Sequence, residues 1–338
     1  MKFKGEVTRI PIWGDMIPGN TGESKKDIMQ PNLSMSMEEI FGARGGIWDK
    51  SSEEITQMVS DDTLVWRDEI ENGYAQETYS DEPFLVPYLV KGSDKCVISC
   101  PGGAYLSKSV EGEGEDIAAF LNEAGISCFV LWYRTYPYHQ PLMYLDLQRA
   151  VRFVRYHAAE YGINPQKIST VGFSAGGNLN GVHAFCFGNK PVEYPGYVPD
   201  EIDQTDGQVN GLAMCYPAIS LYHDKALACI AGVEVYNDPA RRKEVSDRYD
   251  MTLNVKEGDG PVFLAACMDD DVLPPLNPLE LAAAARRKGV DFELHMFPKG
   301  GHGFGGCVER PNPFMKPDYS SCSQWKELYI TWLNRILK

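Results

Sequence analysis

From residue 84 onward, short runs that are apolar at nearly every position alternate with longer segments whose apolar residues recur at helical spacing. Leu64-Val65-Trp66 and Phe84-Leu85-Val86-Pro87-Tyr88-Leu89-Val90 predict two strands joined by a turn region, an antiparallel start to a sheet. Cys96–Cys100, Ser127–Tyr133, Lys167–Val171, Gly211–Cys215, Pro261–Ala266 and Phe292–Phe297 predict six more strands. Helices are expected over Glu115–Ala124, over Leu145–Tyr161 with apolar residues at 147, 151, 154 and 158, and over Gln324–Leu337. A strand that is apolar throughout has to be covered on both faces, and strands separated by helices pair in parallel. The fold class is therefore α/β, a mostly parallel central sheet with helices on both faces, and no repeat of solenoid period is visible.

Residues 1–60, rich in Met, Gly, Pro and Ser with weak periodicity, are expected to form an N-terminal extension packed on a main domain spanning 61–338. The 338 residues would suit about two ordinary domains, but α/β folds often use as many around one core. The stretches 187–210 and 222–259 break the strand–helix alternation with Pro, Gly and charge, and are expected as short lid or pocket-wall insertions at the carboxyl edge of the sheet.

Charge narrows the partners. The 32 Lys+Arg against 47 Asp+Glu give a net charge of −15, and the basic runs Lys25-Lys26, Arg241-Arg242-Lys243 and Arg286-Arg287-Lys288 are short, so nucleic acid and anionic membranes are not expected partners. The nine cysteines are odd in number and form no paired C-x-x-C zinc pattern, which fits free thiols in a reducing compartment. The N-terminus lacks the apolar stretch of a signal peptide, and no run approaches the ~18 residues of a membrane span, so a soluble, cytoplasmic protein is expected.

The sharpest chemical signal is Gly172-Phe173-Ser174-Ala175-Gly176-Gly177, directly after one predicted strand and before a segment that can be helix. A serine on so tight a strand-to-helix turn needs small neighbours two residues before and after it. Its hydroxyl becomes a useful nucleophile only if a base takes the proton and a third group orients that base. Of six histidines, His157 and His183 fall in predicted helices, His295 in a strand, and His139 and His223 in loops without a placed partner. His302, in Lys299-Gly300-Gly301-His302-Gly303-Phe304-Gly305 after the last strand, can reach over the sheet edge to Ser174. The orienting acid is expected in Asp269-Asp270-Asp271, which follows the strand at 261–266 and lacks the ligand alternation of a calcium loop. Attack leaves negative charge on a carbonyl oxygen, and Pro101-Gly102-Gly103-Ala104-Tyr105, together with the N–H of Ala175, can supply donors for it.

These ordered motifs resemble the α/β-hydrolase carboxylesterases, specifically the hormone-sensitive-lipase-like group and its bacterial acetyl-xylan-esterase-type branch, over about Leu85 to Leu337. Pro101–Tyr105 resembles the family's oxyanion loop, Gly172–Gly177 its elbow, and Phe297–Phe304 its histidine loop. Met268-Asp269-Asp270-Asp271-Val272-Leu273-Pro274 is similar to its acid loop. The resemblance implies an α/β-hydrolase fold, nucleophile Ser174, acid Asp269, base His302 and oxyanion donors Gly103, Ala104 and Ala175. Pro101 stands where many members have His, and Ala104 where they have a third Gly.

The expected activity is hydrolysis of small-molecule esters through an acyl-enzyme, with no metal or organic cofactor. The acyl group is expected to be small, acetyl first, because the insertions are short, and the resemblance favours acetylated saccharides. Tyr105, Trp132, Tyr133 and Tyr216 end strands or loops on the expected active face and could stack on a sugar or equally pack the core. Two other readings stay open, a serine peptidase of the prolyl-oligopeptidase type and a non-catalytic binding protein on a hydrolase scaffold.

Overall fold

Every apolar run expected between residues 84 and 297 is a strand of one sheet. A computed structural model describes residues 8–26, 74–221, 226–309 and 318–338; the strand expected at Leu64-Val65-Trp66, most of the extension 1–60, and His223 lie outside them. The strands are β1 (Ile10–Pro11), β2 (Phe84–Tyr88), β3 (Cys96–Cys100), β4 (Ser127–Trp132), β5 (Ile168–Phe173), β6 (Gly211–Cys215), β7 (Val262–Cys267) and β8 (Phe292–Phe297). They lie in the order β1-β2-β4-β3-β5-β6-β7-β8. β2 runs antiparallel to β4, with Phe84 opposite Trp132, and β1 antiparallel to β2; from β4 to β8 all neighbours are parallel. β1 is only two residues long, too short to leave a period in the sequence.

The main helices are α1 (Asp116–Glu123), α2 (Leu142–Tyr156), α3 (Ala175–Val182), α4 (Pro239–Tyr249), α5 (Leu276–Arg287) and α6 (Trp325–Ile336). The sheet separates two apolar layers. In β7, Val262, Leu264 and Ala266 join α2, α3 and α5 on one face, while Phe263, Ala265 and Cys267 meet Ile117 and Leu121 of α1 and Trp325, Tyr329 and Trp332 of α6 on the other. α2 begins three residues before the expected Leu145, because the carbonyl of Pro141 already accepts from the N–H groups of Tyr144 and Leu145. It stops at Tyr156, and His157 turns the chain out of the helix.

The two insertions part company. Segment 187–210 is not a lid: it follows α3, which carries the chain back across the sheet, and it ends at Asn210, whose N–H donates to the carbonyl of Ile168 at the amino end of β5. Segment 222–259, described from residue 226, does leave from the carboxyl edge, and it is largely helical rather than loop. Asp238, followed by Pro239, caps α4 by accepting from the N–H groups of Ala240 and Arg241. Among the described residues no helix is long and apolar enough to cross a membrane.

Buried charge ties the N-terminal segment to this frame. Arg134, after β4, and Asp146, on α2, are both fully buried and paired at 2.6 Å. The Trp13 indole N–H donates to Asp146 Oδ1 at 3.0 Å, and the Arg134 guanidinium donates to the carbonyl of Pro18. Arg149, one turn further along α2, donates to the carbonyl of Ile12 at 2.7 Å and pairs with Asp200 and Asp203. Removing one partner of such a pair leaves a charge without water or counter-charge. Asp146→Ala is expected to lower unfolding stability by about 3–5 kcal/mol, read as a lower urea midpoint at unchanged slope.

Candidate active site

β3 and β5 are parallel neighbours with Cys100 opposite Gly172, while β4 lies on the other side of β3. The chain thus reverses its winding direction between β3 and β5, which opens a crevice at their carboxyl ends. Ser174 leaves β5 with φ 51° and ψ −116°, a conformation L-residues rarely adopt, and its N–H is held by the carbonyl of Cys215 at 3.0 Å. Both neighbouring glycines are required. A Cβ on Gly172 would lie 2.1 Å from the carbonyl oxygen of Gly176, and one on Gly176 would lie 2.0 Å from that of Cys100.

His302 meets Ser174 as expected: its Nε2 lies 2.8 Å from Ser174 Oγ. The acid differs. Nδ1 of His302 faces Oδ2 of Asp270 at 2.9 Å, not Asp269. Asp269 instead accepts from the N–H of Gly301 at 2.9 Å, lies 3.8 Å from the Lys299 ammonium, and has a side chain 32 % exposed. The cause is a turn that Asp270 makes with its own chain. Its Oδ1 accepts from the N–H groups of Val272 and Leu273, both at 2.9 Å, which aims Oδ2 at the imidazole, and its side chain is only 3 % exposed. Burial opposes charge on His302, but Asp270, by field and hydrogen bond, and then Glu113 and Asp271 outweigh it and raise the imidazole above its ordinary value.

The loop after β3 lies against the nucleophile, for a Cβ on Gly102 would sit 2.9 Å from that of Ser174. Gly103, Ala104 and Tyr105 have φ of 127°, 53° and 60°, and the carbonyl of Gly103 accepts from the N–H groups of both Leu106 and Ser107. The Gly102 N–H is taken by Glu113 Oε2 at 2.6 Å. The N–H groups of Gly103, Ala104 and Ala175, the three expected donors, have no acceptor among the described residues.

The four aromatic residues considered for sugar stacking are buried in the protein. Tyr105 and Tyr133 are fully buried, Tyr216 is 1 % and Trp132 5 % exposed. Tyr105 donates to Asn178 Oδ1 at 2.7 Å, Tyr133 to the carbonyl of Pro101 at 2.6 Å and Tyr216 to Glu113 Oε1 at 2.7 Å, while Trp132 stacks on Phe84. They brace the site and leave no open ring face. Glu113 went unnoticed in the sequence because Glu111-Gly-Glu-Gly-Glu115 reads as a solvated helix start; the two glycines are the available signal, since Gly114 packs on Val130 where a Cβ would lie 2.9 Å from its side chain.

The other described histidines are engaged elsewhere: His139 with the carbonyl of Cys229, His157 with Glu160, His183 with the carbonyl of Gly207 and His295 with Glu293. Among the described residues no group of three His, Cys, Asp or Glu side chains is arranged to hold a metal. The arrangement is that of a serine activated by a carboxylate-oriented imidazole, beside N–H groups that can receive an oxyanion.

The BD-FAE family profile matches residues 84–284. The chain is 31 % identical to endo-1,4-beta-xylanase B of Butyrivibrio fibrisolvens over 71 % of its own length and 37 % of that protein. It is 28 % identical to the acetylxylan esterase of Xylanibacter ruminicola over 63 % of its own length and 42 % of that protein. The chain thus spans less than half the length of these curated relatives. Among solved structures, the acetyl ester-xyloside bifunctional hydrolase of Caldicellulosiruptor lactoaceticus superposes with a TM-score of 0.65 at 32 % identity, covering 75 % of this chain and 88 % of that one. The carboxylesterase Cest-2923 of Lactobacillus plantarum shares the α/β-hydrolase fold, with a TM-score of 0.59 at 22 % identity over 75 % of this chain and 93 % of that one.

A measurement separates the two aspartates. Histidine NMR is expected to place the His302 midpoint above the ordinary 6.5. Asp270→Asn should lower it, while Asp269→Asn leaves it nearly in place; the reverse order would assign the acid to Asp269.

Proposed function

We propose, from the premise that the chain belongs to the BD-FAE family, that it is a serine carboxylesterase hydrolysing short-chain esters, acetyl esters first, including those carried on saccharides. The observation that carries the reading is the unbroken line of hydrogen bonds from Ser174 Oγ through His302 to Asp270.

In this mechanism Ser174 Oγ attacks the ester carbonyl while His302 Nε2 takes its proton. Asp270 holds the Nδ1–H tautomer and stabilises the imidazolium. The N–H groups of Ala175 and of Gly103 and Ala104 receive the charge on the carbonyl oxygen. Collapse of the tetrahedral state breaks the bond to the alcohol, which leaves with the proton from His302. Water, deprotonated by the same imidazole, then releases the acid and restores Ser174. The step needs no metal or organic cofactor.

The acetyl and saccharide parts of the reading draw on the relatives named as an acetylxylan esterase and an acetyl ester-xyloside hydrolase. A cytoplasmic, reducing setting fits the odd count of nine cysteines without a paired C-x-x-C pattern. The net charge of −15 favours neutral over anionic esters.

With p-nitrophenyl acetate the protein is expected to turn over, and an organophosphonate to label Ser174. Ser174→Ala should abolish labelling and lower kcat by roughly 10⁴-fold or more, and Asp270→Asn should lower it by on the order of 10³–10⁴-fold. Asp269→Asn should stay within about tenfold of wild type, since Asp269 meets the Gly301 N–H and the Lys299 ammonium but not the His302 imidazole. Absence of both turnover and labelling would overturn the esterase reading, and activity surviving Ser174→Ala would overturn the nucleophile assignment.

A further inference from the structure

Glu113 stands outside the Ser174–His302–Asp270 line but touches both sides of it. It lies in the irregular turn Glu111–Glu115 and is 5 % exposed. Its backbone is pinned, the carbonyl accepting from Ser99 Oγ at 2.8 Å and the N–H donating to Ser109 at 2.9 Å. Both carboxylate oxygens accept: Oε2 from the Gly102 N–H at 2.6 Å and Oε1 from the Tyr216 hydroxyl at 2.7 Å. The Tyr216 oxygen in turn accepts from the N–H of Gly305 at 2.9 Å, and its ring meets the His302 imidazole edge-on with centroids 4.9 Å apart. One carboxylate therefore links the oxyanion loop, the end of β6 and the histidine loop.

A carboxylate so deeply buried is costly unless something nearby favours its charge. Burial raises the Glu113 pKa, opposed by the Tyr216 hydroxyl, the Gly102 N–H and the field of His302. The Gly102 N–H can only donate, and the Tyr216 oxygen is already an acceptor for Gly305, so hydrogen bonding to both suits the ionised form. The other groups facing His302 are Asp270 and Asp271 from the loop after β7 and the Tyr216 phenol; Asp269 is turned to Gly301, and the Cys267 and Cys322 thiols pack under Gly300.

We propose that Glu113 is a positioning residue for the ester hydrolysis inferred above: it fixes Gly102 so that the next N–H groups face the developing oxyanion, and its charge helps sustain protonated His302. The inference rests on the esterase reading. It says that two carboxylates, not one, support the imidazolium, Asp270 by direct contact and Glu113 through space and through Tyr216.

The test is the pH dependence of kcat/KM for p-nitrophenyl acetate in wild type and in Glu113→Gln. The base must be neutral to act, so activity rises with pH through the His302 pKa, and losing the Glu113 charge should move this acid limb to lower pH. In the same variant kcat should fall about 10- to 100-fold, with KM within about twofold because no substrate contact is removed. An unshifted limb with kcat within about twofold of wild type would overturn the proposal. If Glu113→Gln does not fold, Tyr216→Phe decides, since it keeps the ring packing and cuts the link. A kcat at least about fivefold lower at unchanged KM supports the proposal, and a wild-type kcat and pH profile overturn it. Wild type is measured first: without turnover the esterase reading falls and this one with it, whereas turnover with indifferent variants removes this one alone.

Discussion

The site depends on a backbone-to-backbone contact. The carbonyls at the end of β3 press on the first turn of α3 so closely that no Cβ fits at Gly176, and Gly172 faces the same turn from below. With side chains excluded there, the register of β3 against β5 brings the loop at Gly102 into contact with Ser174. The strained φ of Ser174 is held from two sides, by the Cys215 carbonyl that accepts from its N–H and by Asn178, whose N–H donates to its carbonyl at 3.0 Å. Ser174 and the N–H groups beside it are thus placed by main-chain contacts.

The strands from residue 84 onward and the meeting of His302 with Ser174 were legible because each rests on a local rule: continuous apolar runs, a glycine pattern that a tight turn requires, a Gly-rich loop after the last strand. Which aspartate faces His302 was not, because three adjacent aspartates are chemically equal in a sequence and differ only in the turn each makes. Asp270 is selected by the N–H groups of Val272 and Leu273, a choice made two and three residues downstream. The role of the aromatic residues stays open in the sequence for a related reason: a ring at a strand end on the active face is equally consistent with bracing and with stacking, and only partners such as Asn178 and Glu113 separate the two. The edge at which segment 187–210 lies is not legible in the sequence, because nothing local records that α3 has already carried the chain back across the sheet.

Electrostatically, the imidazole sits in a small concentration of the chain's overall negative charge. Asp270, Asp271 and Glu113 all favour its protonated form, against the cost of burial. This suits a base that has to hold a proton between two half-reactions. The compensating feature is that Asp270 and Glu113 are themselves held by N–H and hydroxyl donors, so their fields are fixed in direction before substrate arrives.

The N-terminal hydrogen bonds bear on where one would cut the gene. The BD-FAE profile begins at residue 84, yet the carbonyls of Ile12 and Pro18 and the indole of Trp13 complete the solvation of Arg149, Arg134 and Asp146. An excised fragment drawn to the limits of similarity would retain those buried charges and lose their acceptors and donor. A fragment that keeps these charges solvated therefore has to begin upstream of β1, well before the stretch of similarity.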